Sequence, residues 1–161
     1  MARKPVSGKP VRSSHVEMTE MVLPNDTNRL GNLLGGRLMH WIDISGAIAA
    51  WRHTNRICVT ASVDELNFIH PIKEGEVVVL RASVNRAFHT SVEVGVKVSK
   101  ENPATGEKKH TNTAYLTFVA LDDVGRPTSV PPVRPVTAEE RRRYRDAARR
   151  RALRLLHRKR F

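Results

Sequence analysis

Apolar and polar positions alternate with period two along several segments of the chain, which indicates strands with one buried and one wet face. The clearest run is Val92, Val94, Val96 and Val98, in which Glu93 and other polar or small residues separate the valines. The predicted strands are residues 15–23, 57–68, 76–88, 90–101 and 110–122. The breaks between the last four are of turn length and hold no crossover helix, so we expect successive strands to pair antiparallel.

A different pattern lies between the first and second strands. From Leu38 to Trp51 almost every position is apolar, and Asp43 is the only acid. A helix that is apolar on all faces is normally buried on all sides. The acid and the flanking Arg37 and Arg52 argue against a membrane span. One strand, a buried helix and four further strands predict an α+β domain in which a single antiparallel sheet curls around the helix.

The charge of the chain is concentrated at its two ends. The net charge of +12 would suit a nucleic-acid-binding protein. Residues 1–14 and 141–161 together carry +14, however, and the span between them carries −2. We therefore expect residues 15–135 to form the folded domain, without a basic surface for nucleic acid. Residues 1–14 are polar, contain two prolines, and are predicted to be a flexible basic arm.

Residues 136–161 predict a basic helical extension. Thr137 is a suitable N-cap, and Glu139 and Glu140 follow it. A thin apolar stripe runs along this helix between its arginines. We expect the helix to lean on its own subunit or on a partner; the alternative is contact with an anionic surface such as nucleic acid or acidic lipid.

Cysteine content and the N-terminal sequence bear on location. Cys58 is the single cysteine, and the histidines around the chain show no metal-ligand spacing, so we expect neither a metal nor a cofactor. The lone thiol points to a reducing compartment and to a small buried side chain. No apolar run of the secretory type follows the basic N-terminus. The protein is therefore predicted to be cytoplasmic.

Asp43 is the sharpest candidate for chemistry. A carboxylate in an apolar helix costs several kcal/mol unless it is paired, hydrogen-bonded or neutral. On a helix it shares a face with Met39, Gly46, Ala47 and Ala50, and the small residues leave room for a ligand beside it. The alternative is a structural carboxylate that caps a loop or pairs with an arginine.

A turn and a glycine pair precede the helix. The amides near Gly35 and Gly36, in the first helical turn, have no internal partners and can bind an anion or an oxyanion. Asn28, in the polar turn before them, could hold a water by accepting one of its protons. Each of these residues also suits an ordinary turn. The glycine pair, together with Asp43 two turns later, predicts a carbonyl-polarising site and a carboxylate within reach of one substrate.

At these residues the sequence resembles the hot-dog-fold acyl-CoA thioesterases, specifically the cytosolic acyl-CoA hydrolase group that includes the brain acyl-CoA hydrolase and the YciA-type bacterial enzymes. The resemblance runs from about His15 to Pro132. It rests on the blocks PNDTNRLGNLLGGRLMHWIDISGAIAAWRH, VTASVDELNFIHPIKEGEVV, TSVEVGVKV and AYLTFVALDDVGRPTSVP. The family implies a long helix wrapped by an antiparallel sheet, in agreement with the pattern above. The sequence departs from the family at Leu34, where relatives often carry histidine or an aromatic residue, so acyl-chain fit or rate is expected to differ.

The resemblance also implies roles for single residues. Asn28 and Asp43 match the catalytic pair of the family, in which the two come from different subunits, and Gly35 and Gly36 match the helix N-terminus that polarises the thioester carbonyl. The implied reaction is hydrolysis of acyl-CoA to fatty acid and CoA, with Asp43 as general base or as a nucleophile that forms a mixed anhydride. The family further implies homodimers that join their sheets edge to edge and assemble into hexamers.

Further candidates lie at the link between the third and fourth predicted strands. Arg86, Thr90 and Ser91 are candidates for contacts with the CoA arm, and equally suit an ordinary hairpin. A non-catalytic acyl-CoA-binding or nucleic-acid-binding protein that works through its basic ends is the alternative function. A hot-dog dehydratase is less suitable, because it would need a histidine beside the acid.

Overall fold

A curled five-stranded sheet holds a long helix on its inner face. The structure, a computed structural model, describes residues 7–159. In chain order the elements are β1 (Lys9–Pro10), a 3-10 turn (Val11–Ser14), β2 (Val16–Met21), a second 3-10 turn (Pro24–Asp26), α1 (Gly35–Thr54), β3 (Ile57–Val63), β4 (Val77–Ala87), β5 (Ser91–Glu101), β6 (Lys108–Leu121), β7 (Val133–Arg134) and α2 (Ala138–Arg158). The sheet order is β2-β4-β5-β6-β3, and all its neighbours are antiparallel. The predicted α+β architecture is confirmed.

The inner face of the sheet packs on α1 through the residues that gave the period-two pattern. The four alternating valines of β5 are fully buried. Gly46 of α1 lies against Phe118 of β6, and a Cβ at Gly46 would stand 3.1 Å from the phenyl ring. A larger residue at Gly46 would therefore push the helix away from the sheet, since protein interiors are close-packed.

α1 is buried on one face and open on the other, so the prediction that it is buried on all sides is wrong. On the open face Ile44 is 37% exposed and Trp51 is 48% exposed, and on the adjacent edge strand β3 Ile57 is 69% exposed. Apolar composition alone does not distinguish a core from a surface that a second subunit covers. Between residues 7 and 159 no helix is long and apolar enough to cross a membrane.

The segment before β2 is ordered. Residues 1–6 lie outside the described residues, but from β1 onward the predicted flexible arm is wrong. β1 pairs in parallel with β7. Val11 and Ser14 are buried, and the Ser14 hydroxyl oxygen accepts a hydrogen bond from Val84 N at 2.9 Å. The polar composition suggested disorder because it gave no sign that a single valine and a single hydroxyl would be buried.

α2 lies on the outer face of the sheet. Its N-cap is the predicted Thr137, whose side chain accepts a hydrogen bond from Glu140 N at 3.1 Å while the Glu140 carboxylate accepts one from Thr137 N at 3.1 Å. Ala147 of this helix is fully buried. The expectation that the basic helix leans on its own subunit is confirmed.

Candidate active site

The turn before α1 is fixed to the helix by Asp26. This buried carboxylate accepts a hydrogen bond from Leu23 N at 3.0 Å and pairs with Arg37 Nε at 3.0 Å. Arg37 belongs to the first turn of α1, so the ion pair holds the turn and the helix N-terminus in one arrangement. The Asp26 carbonyl oxygen also accepts a hydrogen bond from Leu34 N at 2.9 Å.

Asn28 lies in this turn with its carbonyl oxygen already engaged. Asn28 Oδ1 accepts hydrogen bonds from Leu30 N at 2.9 Å and from Asn32 N at 3.2 Å. An amide oxygen has two lone pairs, so these bonds fill its accepting capacity. Asn28 is exposed, and its NH₂ group is left for a ligand. The residue is therefore suited to donate a hydrogen bond. The sequence had suggested instead that Asn28 accepts a hydrogen bond from water.

The N-terminus of α1 is open at the glycine pair. Within residues 7–159, neither Gly35 N nor Gly36 N has a hydrogen-bond acceptor. No atom lies within 4 Å of the position of a Cβ at Gly36, whereas one at Gly35 would stand 3.5 Å from the Phe68 ring. The amides stand at the positive end of the helix dipole, so the site can stabilise negative charge on an oxygen.

A cavity of about 270 Å³ opens beside this N-terminus. Its lining residues are Asn28, Asn32, Leu33, Gly35, Leu38, Phe68, His70, Pro71 and Ile72. The cavity therefore combines the asparagine and the start of α1 with a loop that follows β3. Most of the lining is apolar, which suits an apolar ligand.

Asp43 lies on the open face of α1 and is held by a hydroxyl group. Thr60 Oγ1, in β3, donates a hydrogen bond to Asp43 Oδ1 at 2.6 Å. Such a bond fixes the carboxylate rotamer and leaves Oδ2 free to act. Thr60 is absent from the residues predicted from the sequence. The short turn between α1 and β3 places β3 beside the helix. This proximity is the signal that could have identified a hydroxyl residue of β3 as a partner of Asp43.

Asn28 and Asp43 do not share a cavity within one chain. Asp43 stands eight residues after Gly35, a separation of about 12 Å along the helix axis, and it does not line the cavity at the N-terminus. The resemblance implies that the asparagine and the aspartate of one site come from different subunits, and this stays a prediction.

The predicted contacts to the CoA arm lie at the β4–β5 hairpin: Arg86, Thr90 and Ser91. This hairpin is at the same end of the sheet as Thr60. Val92 of β5 and Thr60 of β3 both pair with Phe118 of β6, so a single strand separates them. The hairpin is thus near Asp43 rather than near Asn28 of the same chain.

Residues of α2 contact two of these three side chains. The Arg86 guanidinium stacks 4.0 Å from the centre of the Tyr144 ring and donates a hydrogen bond to the Tyr144 carbonyl at 3.2 Å. Ser91 is buried, and Arg151 stands 3.5 Å from its hydroxyl oxygen. Thr90 is partly exposed. Their contact with CoA stays a prediction.

Cys58 does not suit a second reactive centre. Cys58 is a free, buried thiol, and burial raises its pKa while a hydrogen bond with the Thr54 hydroxyl lowers it only in part. A thiol of raised pKa is a poor nucleophile at neutral pH. In the part of the chain that the structure describes, no group of three or more His, Cys, Asp or Glu residues is arranged to hold a metal ion.

Comparisons with known proteins agree on one family. The thioesterase superfamily model matches residues 30–107. An uncharacterized acyl-CoA thioester hydrolase of Bacillus subtilis is 46% identical over 129 residues, covering 80% of this chain and 75% of that protein. Mouse acyl-coenzyme A thioesterase 11 is 40% identical over 89% of this chain, which spans only 24% of that longer protein.

Solved structures of acyl-CoA hydrolases superpose on almost the whole chain. An apo-hexameric acyl-CoA thioesterase is 39% identical with a TM-score of 0.91, covering 94% of this chain and 97% of its own. Three variants of the Staphylococcus aureus acyl-CoA hydrolase, 34–36% identical with TM-scores of 0.83–0.89 over 94–95% of this chain and 93–96% of theirs, replace an asparagine, an aspartate or a threonine by alanine at that protein's positions 28, 43 and 60. This chain has the same three residue types at the same numbers. By sequence and by fold, the chain belongs to the thioesterase superfamily.

Proposed function

We propose that this protein hydrolyses acyl-CoA to a free fatty acid and CoA, and that Asp43 drives the reaction. The observation that carries the proposal is the Asp43 carboxylate on the open face of α1, fixed by the Thr60 hydroxyl at 2.6 Å. Membership of the thioesterase superfamily and the names of its relatives support the substrate class. The reaction uses no cofactor, since CoA is part of the substrate.

Asp43 can act by either of two routes. As general base, Oδ2 takes a proton from water while the water oxygen attacks the thioester carbon, and the C–S bond then breaks so that CoA leaves as a thiolate that takes up a proton. As nucleophile, Oδ2 itself attacks the carbon and CoA leaves. Water then hydrolyses the resulting mixed anhydride. Both routes need one carboxylate oxygen to be free, and Thr60 engages only the other.

The N-terminus of α1 supplies the electrostatic part of the reaction. The carbonyl oxygen of the thioester becomes negatively charged as the carbon is attacked, and donors placed at that oxygen stabilise the transition state. The open amide of Gly36 suits this task. The free NH₂ group of Asn28 borders the same cavity, so it can donate to the carbonyl oxygen or to the oxygen of the attacking water.

A complete site requires a second copy of the chain. The Asn28 and Gly36 half from one copy and the Asp43 and Thr60 half from another would face one thioester. The open apolar face of α1 and the free edge of β3 offer the surface for such a dimer. A hexameric relative supports further assembly, and we propose trimers of edge-to-edge dimers.

The β4–β5 hairpin is proposed to receive the CoA arm. It lies at the Asp43 end of the sheet and carries Arg86 and the partly exposed Thr90. The free, buried state of Cys58 supports a cytoplasmic location, and the proposed acyl-CoA substrate supports a place in fatty-acid metabolism. Nucleic acid is not part of the proposal, because several α2 arginines are engaged with carboxylates and aromatic rings of their own chain.

Replacing Asp43 by asparagine tests the reaction. Asp43→Asn keeps the shape and the hydrogen bond to Thr60 but removes the base or nucleophile, so kcat for palmitoyl-CoA should fall about 1,000-fold. Release of free thiol measures the rate, and circular dichroism checks the fold. Asp123→Asn is the matched control, because this carboxylate is 99% exposed on a turn. Near-native turnover by Asp43→Asn would overturn the assignment.

Mixing two inactive variants tests the shared site. Asn28→Ala and Asp43→Asn each damage a different half, so a mixed dimer contains one site with both native residues. Random reassociation should restore about one quarter of the native rate, measured after the two variants are dissociated in mild urea and diluted together. Mixed dimers without recovered activity would place both residues in one chain's site.

A further inference from the structure

α2 is attached to the sheet by two arginines that reach carboxylates on its outer face. Arg150 donates to both oxygens of the fully buried Glu93, with its closest contact at 2.7 Å. Arg154 also contacts Glu93, at 3.3 Å, and donates to Asp64 at 2.8 Å and 3.1 Å. Arg150 stacks 3.6 Å from the centre of the Tyr115 ring. Bidentate pairs of this kind fix both distance and orientation.

Asp64 is the first residue of the loop that follows β3, residues 64–70, here called the β3 loop. Its backbone N donates to Tyr115 O at 2.9 Å, and its side chain is held from above by Arg154. Further along, the carbonyl of Asn67 accepts a hydrogen bond from Asn112 Nδ2. Arg154 is therefore the residue through which α2 helps to hold this loop.

The β3 loop forms one wall of the candidate active site. Phe68 and His70 line the cavity that Asn28 and Gly35 also line. The Phe68 ring lies against Gly35, where a Cβ would stand 3.5 Å from it. A shift of the loop would therefore move a wall that touches the first residue of α1, at the amides expected to meet the thioester carbonyl.

We propose that Arg154 is a positioning residue of the thioesterase reaction: through Asp64 it holds the β3 loop, and with it Phe68, in the place that shapes the cavity at the α1 N-terminus. The inference rests on the proposed function for its effect on rate. It makes the basic C-terminal helix a support of the active site rather than an appendage.

The electrostatics of Asp64 explain why loss of Arg154 should move the β3 loop. Burial raises the pKa of this carboxyl, and Arg154 is the main influence that lowers it again. Without Arg154 the ionised Asp64 would gain by moving toward water, because a buried charge without its partner is costly. The movement would carry the β3 loop away from Gly35.

Four single variants test the proposal in the full-length protein. Arg154→Gln removes the charge above Asp64, and Asp64→Asn removes the carboxylate while leaving every α2 contact with Glu93. Arg154→Lys keeps a charge that can reach Asp64. Arg149→Gln is the control, because it removes the same charge from the same helix, whereas Arg149 is 81% exposed and, among residues 7–159, pairs only with Asp146. Hydrogen exchange of residues 64–70 is measured alongside kcat and KM for palmitoyl-CoA.

Arg154→Gln and Asp64→Asn should both speed exchange in the β3 loop and lower kcat about tenfold, with KM changed less than about twofold, because loop displacement disturbs the reacting carbon more than the CoA arm. Arg154→Lys should recover part of kcat, and Arg149→Gln should match the native protein. If Arg154→Gln unfolds, Asp64→Asn decides. Native exchange and kcat in Asp64→Asn would overturn the proposal. If the native protein hydrolyses no acyl-CoA, the proposed function fails, and exchange in the β3 loop still decides whether Arg154 holds it.

Discussion

The two helices cover opposite faces of one sheet by different physical means. α1 meets the inner face with apolar side chains and with Gly46, which permits contact between helix and sheet. α2 meets the outer face chiefly through arginines that contact carboxylates and aromatic rings. Burial of apolar surface is non-directional, whereas each arginine pair requires one orientation.

The two kinds of contact have different consequences: apolar packing holds α1 on the sheet, whereas arginine pairs fix the orientation of α2. α1 needs close packing against the sheet, and its outer face remains available for Asp43 and for a second subunit. α2 contributes little apolar area, since Leu153 and Leu156 are 57% and 59% exposed. Its contacts instead fix its position above the β4–β5 hairpin and the β3 loop, the two segments assigned to substrate.

The largest expected effect on stability comes from removing the Glu93 carboxylate, which accepts hydrogen bonds from α2. Glu93→Leu fits the buried volume but leaves Arg150 without its carboxylate, so unfolding free energy should fall about 3 kcal/mol. Urea unfolding measures the loss, and hydrogen exchange should show that α2 opens before the sheet. An α2 held mainly by apolar contacts would keep its protection.

The control for this variant is a surface ion pair of the same sheet. Glu17 pairs with Arg81 at 2.9 Å, and both side chains are about 60% exposed. Glu17→Leu should change the unfolding free energy by less than about 0.5 kcal/mol. Equal losses in the two variants would mean that burial of Glu93 adds nothing to the attachment of α2.

A smaller effect should appear at α1 on acidification. Burial lowers the pKa of His53 at the C-terminal end of α1, although its hydrogen bond to the Pro131 carbonyl raises it in part. The unfolded chain then takes up the proton first, so stability should fall as pH drops below the ordinary value of 6.5, by at most about 1.4 kcal/mol per pH unit.

His53→Gln tests whether this histidine sets the pH dependence of stability. It should flatten the fall in urea stability between pH 6.5 and pH 5.5, because no buried imidazole remains to be protonated. His110→Gln, at an exposed site, should keep the native pH dependence. A slope that survives in His53→Gln would assign acid sensitivity to another group.

The sheet and the existence of both helices follow from the sequence because each depends on local pattern. Alternating valines give β5, and Thr137 gives the start of α2. Period two requires only that one side of a strand be wet and the other dry. The pattern itself singled out Asp43, the glycine pair and Asn28 as candidates, and the resemblance implied their roles, which stay predictions.

The features absent from the sequence-based picture depend on long-range contacts. Thr60 is one of two hydroxyl residues in β3, and only folding places it at Asp43. The contact between Arg154 and Asp64 joins residues 90 positions apart, and composition made the helix look solvated. The open face of α1 looked like core because the pattern does not reveal which molecule provides the cover.

The parallel pairing of β1 with β7 limits where the protein can be truncated for expression. The two strands lie side by side although they come from opposite ends of the sequence, and β7 is the last element before α2. A truncated version that begins at β2, as polar composition would recommend, removes the strand beside which the chain turns toward α2. Purification tags are therefore best attached ahead of residue 7, so that every shortened variant keeps this pair and with it the path to the helix that aligns the substrate segments.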